Sequence, residues 1–132
     1  MKFACIGLDH RHIYGMTEGM IKAGATCEGF YTRDSSEPLE GFKKRFPNIP
    51  RVNSPETLIN DKKINLILCA AIPSERAEYC IKAMLNGKDV MVDKPGMTTL
   101  KQLEEIIEVQ KKTNARYSID FSEHFEVPAT LK

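Results

Sequence analysis

The stretch that decides the fold is "INLILCAAIPSERAEYCIKAMLNGKDVMVDKP", residues 64–95. It opens with a nearly continuous apolar run at 64–71, which suits a strand buried on both faces of a parallel sheet. Apolar residues then recur at helical spacing over 75–86, and Gly87 is placed to end that helix. A second apolar strand follows at 89–92. Strand, helix and strand in succession predict a βαβ unit with a right-handed crossover.

The same alternation continues on both sides of this unit. Further strands are predicted at 2–6, 26–32 and 116–121, with a short edge element near Arg51 and Val52, and further helices at 12–23, at 34–46, after Ser54-Pro55 and after Thr99. The expected helix caps are Asp34, Ser35, Ser36, Ser54 and Thr99, and the helix after Thr99 is expected to bury Leu100, Leu103, Ile106 and Ile107. The predicted fold class is α/β, a doubly wound, mainly parallel sheet with helices on both faces.

Composition narrows the classes of function. The 132 residues carry a formal net charge of +1, which gives no electrostatic reason to expect a nucleic acid or an anionic membrane as partner. No apolar run approaches the ~20 residues of a membrane span, so a cytoplasmic location is expected. The four cysteines form no CxxC pair, and we expect free thiols in a reducing compartment.

In a parallel sheet the ligand lies beyond the carboxyl ends of the strands, near the point where the strand order reverses. That rule limits the search for function to the loops that follow the strands. These loops are 7–12, 32–35, 71–76, 93–98 and 121–126.

The first loop reads "GLDHRH". A dinucleotide fold favours G-x-G-x-x-G here, and only the first glycine, Gly7, is kept. Asp9 and His12 occupy the second and third glycine positions, so side chains are expected to share the work of backbone amides. The candidate binding residues of this loop are Gly7, Leu8, Asp9, His10, Arg11 and His12. Asp9, His10 and His12 also suggest a metal-dependent hydrolase, but no further ligand cluster supports that class and no metal is expected.

The second loop carries Thr32 and Arg33. A small hydroxyl beside a guanidinium suits the 2′-phosphate of NADP, whereas Asp34 one step later keeps NAD open. The cofactor expected from this loop is NAD or NADP, with NADP slightly favoured.

The third and fourth loops supply the remaining candidates. Ala70 and Ala71 at the strand end leave room for a flat ring or a pyrophosphate, and Pro73 makes the turn rigid. The candidates from this loop are Ala71, Ile72, Pro73 and Arg76, and Arg76 lies in a first helical turn, where a cation is unfavourable on dipole grounds. In the fourth loop, Pro95 fixes the turn after Asp93 and Lys94, and Lys94 is a candidate for proton transfer.

The stretch "GKDVMVDKPGMTTLKQLEEI", residues 87–106, resembles the Glu-Lys-Pro region of the glucose–fructose oxidoreductase and inositol dehydrogenase (Gfo/Idh/MocA) family, with Asp93 in place of the usual Glu. Supporting similarity runs through "FACIGLDH", "FYTRD" and residues 51–95. The resemblance implies a Rossmann domain at 1–120 that binds NAD or NADP through the loop residues above, including Asp93, Lys94 and Pro95. It also implies that Lys94 lies beside nicotinamide and substrate as the catalytic lysine.

Members of this family continue into a second α/β domain that shapes the substrate pocket and usually the dimer interface. The resemblance therefore implies that 121–132 begins the crossover to that domain, where His124 is a further candidate site residue. It implies hydride transfer to or from a sugar, polyol or related hydroxy compound by a homo-oligomer, with the 132 residues alone binding dinucleotide weakly and not turning over. The alternative is a non-catalytic Rossmann-fold binding module that lost standard dinucleotide binding through its altered glycine loop.

Overall fold

The computed structural model describes residues 1–120. Its five strands are β1 (Lys2–Leu8), β2 (Thr26–Tyr31), β3 (Leu66–Ala70), β4 (Asp89–Asp93) and β5 (Tyr117–Asp120). Its five helices are α1 (His12–Lys22), α2 (Leu39–Arg45), α3 (Pro55–Ile59), α4 (Pro73–Leu85) and α5 (Leu100–Thr113). The predicted domain boundary at 120/121 and the predicted site residue His124 lie at or beyond the end of the described residues.

The five strands form one parallel sheet in the order β2-β1-β3-β4-β5. Arg51 adds a single parallel bridge to Phe30 at the β2 edge. That bridge confirms the edge element predicted near Arg51 and Val52. With it, the strand order is that of a doubly wound dinucleotide fold whose outermost strand on this side is reduced to one bridge.

Both faces of the sheet are covered, as the sequence predicted. One apolar cluster packs α1 and α2 against the sheet through Ile13, Met16, Leu39 and Phe42. The opposite cluster packs α3, α4 and α5 through side chains such as Leu58, Met84 and Ile106. Strand β3 lies between them with all five residues buried, which explains its continuous apolar run. The four cysteines are free thiols, with Cys5, Cys69 and Cys80 buried and Cys27 half-buried.

The helix starts agree only in part with the predicted caps. Ser54 and Thr99 cap α3 and α5 by accepting the amides of Glu56 and Gln102. By contrast, α2 begins at Leu39 after Pro38, not near residue 34. The predicted caps before it have other partners, since the Ser36 hydroxyl bonds Thr32 and Asp9 and the Asp34 carboxylate pairs with Arg51.

The predicted burial of the α5 stripe is wrong for three of its four residues. Ile106 is buried, but Leu100, Leu103 and Ile107 are 77%, 37% and 43% exposed. Helix α5 packs against α4 and the sheet along a narrower strip than the apolar stripe covers. Among the helices of residues 1–120, none combines the length and the apolar character needed to cross a lipid bilayer.

Candidate functional site

The carboxyl ends of β1 and β3 form the switch point of the sheet. The chain leaves β1 to build β2 on one side and later adds β3 on the other, which opens a crevice between the two loops. A cleft of about 190 Å³ lies there. Its lining residues are Gly7, Asp9, Tyr31, Thr32, Arg33, Ala71, Glu75 and Tyr79. The structure thus brings five predicted residues from three loops together in one cleft.

Gly7 and Ala71 set the floor of this cleft. Gly7 has a φ of +80°, and a Cβ built on it would lie 2.5 Å from both the Cα and the Cβ of Ala71. The pairing of β1 with β3 shifts register between Ile6 and Leu8, which accommodates the close approach. Only glycine fits at this position, for conformational and steric reasons together. The tight turn expected of the first glycine is therefore present.

Asp9 is neutralised by the loop that follows β2. Its Oδ1 accepts bonds from Arg33 Nε at 3.0 Å and from the Ser36 hydroxyl at 2.9 Å. The Ser36 hydroxyl gives its proton to Asp9, because a carboxylate only accepts. The Ser36 oxygen therefore accepts a hydrogen bond from the Thr32 hydroxyl, with the two oxygens 2.6 Å apart. Thr32 Oγ1 in turn accepts a hydrogen bond from the Leu8 amide. A directed chain of hydrogen bonds therefore ties the altered glycine loop to the end of β2.

Arg11 makes a second tie between the same two loops. Its guanidinium binds the Glu37 carboxylate, with Nε 3.2 Å from Oε2. Both side chains are exposed, and the bond from Arg11 lowers the pKa of Glu37 below its usual range. The Arg11 guanidinium, a candidate binding group of the first loop, is therefore engaged by a carboxylate in this conformation.

A wider cleft of about 440 Å³ adjoins the first at the end of β2. It shares Tyr31, Thr32 and Arg33 with the first cleft and adds Asp34, Arg51, Val52 and Asn53. Arg51 donates to the Thr32 carbonyl and to Asp34, whereas Arg33 remains 48% exposed beside Asp9. Two guanidinium groups therefore line one elongated groove.

Arg76 is a buried clamp rather than a surface cation. The side chain is 2% exposed, and its guanidinium donates to the carbonyl oxygens of Ala71, Asp93 and Pro95. Its Nη2 also lies 3.6 Å from Asp93 Oδ2. This arrangement holds the third and fourth loops together, so the position of Lys94 is determined from both sides. The unfavourable place of a cation in a first helical turn is explained by these acceptors.

Asp93 also contacts the first loop. Its Oδ1 lies 2.8 Å from His12 Nδ1 and its Oδ2 lies 3.4 Å from His10 Nδ1. Asp93 is fully buried, whereas His10 and His12 are 51% and 34% exposed. The sequence suggested Asp9 as the carboxylate beside these histidines. The structure instead places Asp93 there, and Asp9 faces Arg33.

The remaining predicted residues have supporting positions. Leu8 is fully buried, Ile72 and Pro73 form the start of α4, and the peptide bond between Lys94 and Pro95 is cis. Lys94 directly follows β4 and is half-buried. The predicted residues therefore divide into a group around the cleft and a group around Asp93, both at the carboxyl edge of the sheet.

The geometry fits a nucleotide. Gly7 and Ala71 keep the floor of the cleft free of bulk, and Thr32 and Arg33 lie where β2 ends. Helix α1 begins beside the cleft with no acidic side chain in its first turn, and Asp9 is neutralised by Arg33. A phosphate group is favoured at such a helix terminus.

A family model described as "oxidoreductase family, NAD-binding Rossmann fold" matches residues 2–121. The chain belongs to this family. The match covers the whole sheet and the loops 7–12, 32–35, 71–76 and 93–98, and it confirms the Gfo/Idh/MocA resemblance read from residues 87–106.

Individual relatives are consistent with this family. The chain is 40% identical to a protein of Erwinia carotovora atroseptica classed as an oxidoreductase, with a TM-score of 0.89 over 93% of this chain and 37% of that one. It is 29% identical to an oxidoreductase of Formosa agariphila over 76% of this chain and 31% of the relative. A biliverdin reductase of Synechocystis, solved with biliverdin and NADP⁺, shares the fold at 17% identity and a TM-score of 0.78, covering 98% and 42% of the two chains. The chain thus spans about a third of the first two relatives.

Several site residues escaped the sequence analysis. Ser36 and Glu37 were read as parts of a helix start, and Tyr31, Glu75 and Tyr79 were not singled out. Burial raises the pKa of Tyr79 to about 12, with Tyr31 and Glu75 adding to the effect. Tyr79 follows Glu75 by one helical turn on α4, so their shared face was the available signal.

Proposed function

We propose that this domain binds NAD or NADP in the groove at the ends of β3, β1 and β2, and that it serves a dehydrogenase acting on a sugar, polyol or related hydroxy compound. The observation that carries the proposal is the pairing of that groove with a fixed lysine loop. Arg76 ties the loop of Lys94 to the turn of Ala71, which is also the floor of the cleft. The proposed cofactor groove and the proposed proton-transfer group, Lys94, therefore lie at the same edge of the sheet and are joined by Arg76.

When bound, the nicotinamide ring supplies hydride acceptance or donation at its C4. The chain's own contribution is to bind and orient. Thr32 and Arg33 would hold the ribose end of the adenosine, and the start of α1 would receive the diphosphate. Lys94 would hydrogen-bond the substrate hydroxyl through Nζ and share in the transfer of its proton.

Arg33 supports a preference for NADP. Its Nε is held by Asp9 at 3.0 Å, which orients the guanidinium, and the side chain is still half-exposed in the groove. A guanidinium held in this way suits a 2′-phosphate. We further propose a cytoplasmic enzyme that forms homo-oligomers through a second domain, and weak dinucleotide binding without turnover by these 132 residues alone.

The direct test is titration of the chain with NADH and with NADPH, followed by calorimetry and by nicotinamide fluorescence. We expect saturable binding of both, with NADPH tighter. Arg33→Ala should lower NADPH affinity by about tenfold or more and lower NADH affinity less. Both nucleotides lose the guanidinium that offsets Asp9, but only NADPH loses the charge-assisted contact to its 2′-phosphate. Arg116→Ala, at an exposed position directly before β5, is the matched control. No binding of either nucleotide at millimolar concentration would favour the non-catalytic alternative.

The role of Lys94 is tested in the full-length enzyme. Lys94→Ala should abolish turnover and keep cofactor affinity within a few-fold, because its contact is with the reacting hydroxyl. Turnover that persists unchanged would remove Lys94 from the catalytic machinery. A panel of sugars, polyols and hydroxy acids then tests the substrate class.

A further inference from the structure

We propose that His10, His12 and Asp93 form a binding site for a divalent transition-metal ion of the zinc type. The three residues each offer one ligand atom, and these atoms lie within 4.8 Å of one another. His10 lies in the loop after β1, His12 is the first residue of α1, and Asp93 is the last residue of β4. The site adjoins the diphosphate position proposed at the start of α1, and its test uses the metal alone, so its outcome does not depend on nucleotide binding.

The spacing of the ligand atoms is close to that of a metal centre. Zinc bonds of about 2.0–2.2 Å place tetrahedral ligand atoms about 3.3–3.6 Å apart. His10 Nδ1 and Asp93 Oδ2 are 3.4 Å apart, and His12 Nδ1 and Asp93 Oδ1 are 2.8 Å apart. The imidazole rings lie against each other with centroids 4.1 Å apart. The two imidazoles thus approach different oxygens of the one carboxylate, and the His12 ring would have to move outward by about half an ångström to reach a metal-ligand spacing from Oδ1.

A second observation that favours a cation at this place is the state of Asp93 Oδ2. The residue is fully buried, and this oxygen has no hydrogen-bond partner among residues 1–120. The nearest nitrogen of the first loop, His10 Nδ1, accepts the amide of His12 at 3.1 Å. An accepting Nδ1 carries no proton, so no hydrogen bond joins it to Asp93 Oδ2, 3.4 Å away. A cation bound here would replace the His12 amide as the partner of that lone pair and would give the unpaired carboxylate oxygen a partner.

The donor set selects the class of ion. Two imidazoles and one carboxylate suit zinc and the neighbouring first-row ions, whereas calcium and magnesium prefer oxygen ligands alone. Arg76, whose Nη2 is 3.6 Å from Asp93 Oδ2, moderates the affinity through its positive charge. It also fixes the carboxylate in place, as outer-shell partners of metal ligands do.

The site is accessible from solvent. His10 and His12 are 51% and 34% exposed, so an ion can reach the cluster without unfolding the domain. Three protein ligands leave open coordination positions. When no ion is bound, His12 Nδ1 donates its proton to Asp93 Oδ1. An ion on this nitrogen takes the place of that proton, and the neutral ring then carries its proton on Nε2.

The test is titration of the full chain, free of chelators, with Zn²⁺ by calorimetry and with Co²⁺ by visible absorption. We expect one saturable site per chain and a cobalt spectrum without thiolate charge-transfer bands. His10→Gln and His12→Gln should each lower the affinity at least about tenfold, a loss comparable to that seen when metal-site partners are removed. Both side chains are partly exposed, so neither variant threatens the fold.

The matched control is Glu18→Gln, at an exposed position of α1 where the carboxylate pairs with Lys22. It should leave the affinity unchanged. The proposal is overturned by absence of saturable binding, by affinity that survives both His10→Gln and His12→Gln, by an equal loss in Glu18→Gln, or by a thiolate signature.

Discussion

Arg76 and Asp93 form an ion pair in which the side chains are 2% and 0% exposed, with Nη2 3.6 Å from Oδ2. Three backbone carbonyls complete the coordination of the guanidinium. A buried charge pair of this kind adds little net stability over an apolar pair, but breaking it is costly. The ion pair matters for the geometry of the site, because Arg76 joins the turn of Ala71 to the loop of Lys94.

The first prediction concerns this pair. Arg76→Met should lower the free energy of unfolding by about 3–5 kcal/mol, because it leaves a buried carboxylate and three carbonyls without their donor. The double variant Arg76→Met/Asp93→Asn should recover part of that loss. Urea unfolding followed by circular dichroism measures both, and Lys82→Met, exposed on the same helix, is the control. A cost for Arg76→Met near that of Lys82→Met would contradict the clamp.

The second prediction concerns the floor of the cleft. Gly7→Ala should destabilise the domain by about 2–4 kcal/mol, since it combines an unfavourable φ with a 2.5 Å contact to Ala71. Gly15→Ala is the matched control. A Cβ at Gly15 meets nothing within 4 Å, and the residue lies inside α1, so this change should stabilise by about 0.5–1 kcal/mol. Thermal melts of the two variants should therefore move in opposite directions.

The sheet and its loops were predictable because burial leaves periodic marks in the sequence. The continuous apolar run at 64–71 and the helical spacing of α4 identify the central βαβ unit, and chain topology then places the loops at one edge. Side-chain partners were not predictable in this way. The contact of His12 with Asp93 joins residues 81 positions apart. It depends on strand order and register, which no local pattern encodes.

The wrong predictions, of the start of α2 and of the buried face of α5, also depended on tertiary contacts that no local pattern encodes. Ser36 has the chemistry of a helix cap, but a tertiary contact with Asp9 takes its hydroxyl and α2 starts later. Leu100 continues an apolar stripe, yet it is 77% exposed because α5 packs along a narrower strip. Arg76 is the instructive intermediate case. Its misfit with the helix dipole was visible in the sequence, and only the fold shows that its partners are protein carbonyls.

The third prediction concerns Lys88, which is 2% exposed and lies directly before β4. Its ammonium group donates to the carbonyl oxygens of Asp61 and Ile64 at 2.7 and 2.9 Å, and burial lowers its pKa. Lys88→Met should cost about 2–3 kcal/mol, because two acceptors lose a charged donor. Lys101→Met, at an exposed position of α5, should change stability by less than about 0.5 kcal/mol. Equal effects in chemical denaturation would show that the two carbonyls do not need the Lys88 ammonium group.

The fourth prediction concerns alkaline pH and Tyr79. Burial raises its pKa to about 12, above the value near 10 expected in the unfolded chain. The neutral phenol is therefore favoured by folding. Its contribution is complete below about pH 10 and is lost as pH rises toward 12, because the unfolded chain releases the proton first.

Wild type should therefore lose stability across this window more steeply than Tyr79→Phe, which has no proton to release there. The comparison isolates Tyr79, since Lys88 and Tyr117 titrate in both proteins. Urea unfolding at a series of pH values gives the slopes, and difference absorption of the phenolate gives the pKa directly. Parallel slopes, or a phenolate that forms near pH 10 in the folded protein, would mean that the cleft does not bury this hydroxyl. In that case the wall formed by Tyr79 is solvated, and the groove is wider than the structure indicates.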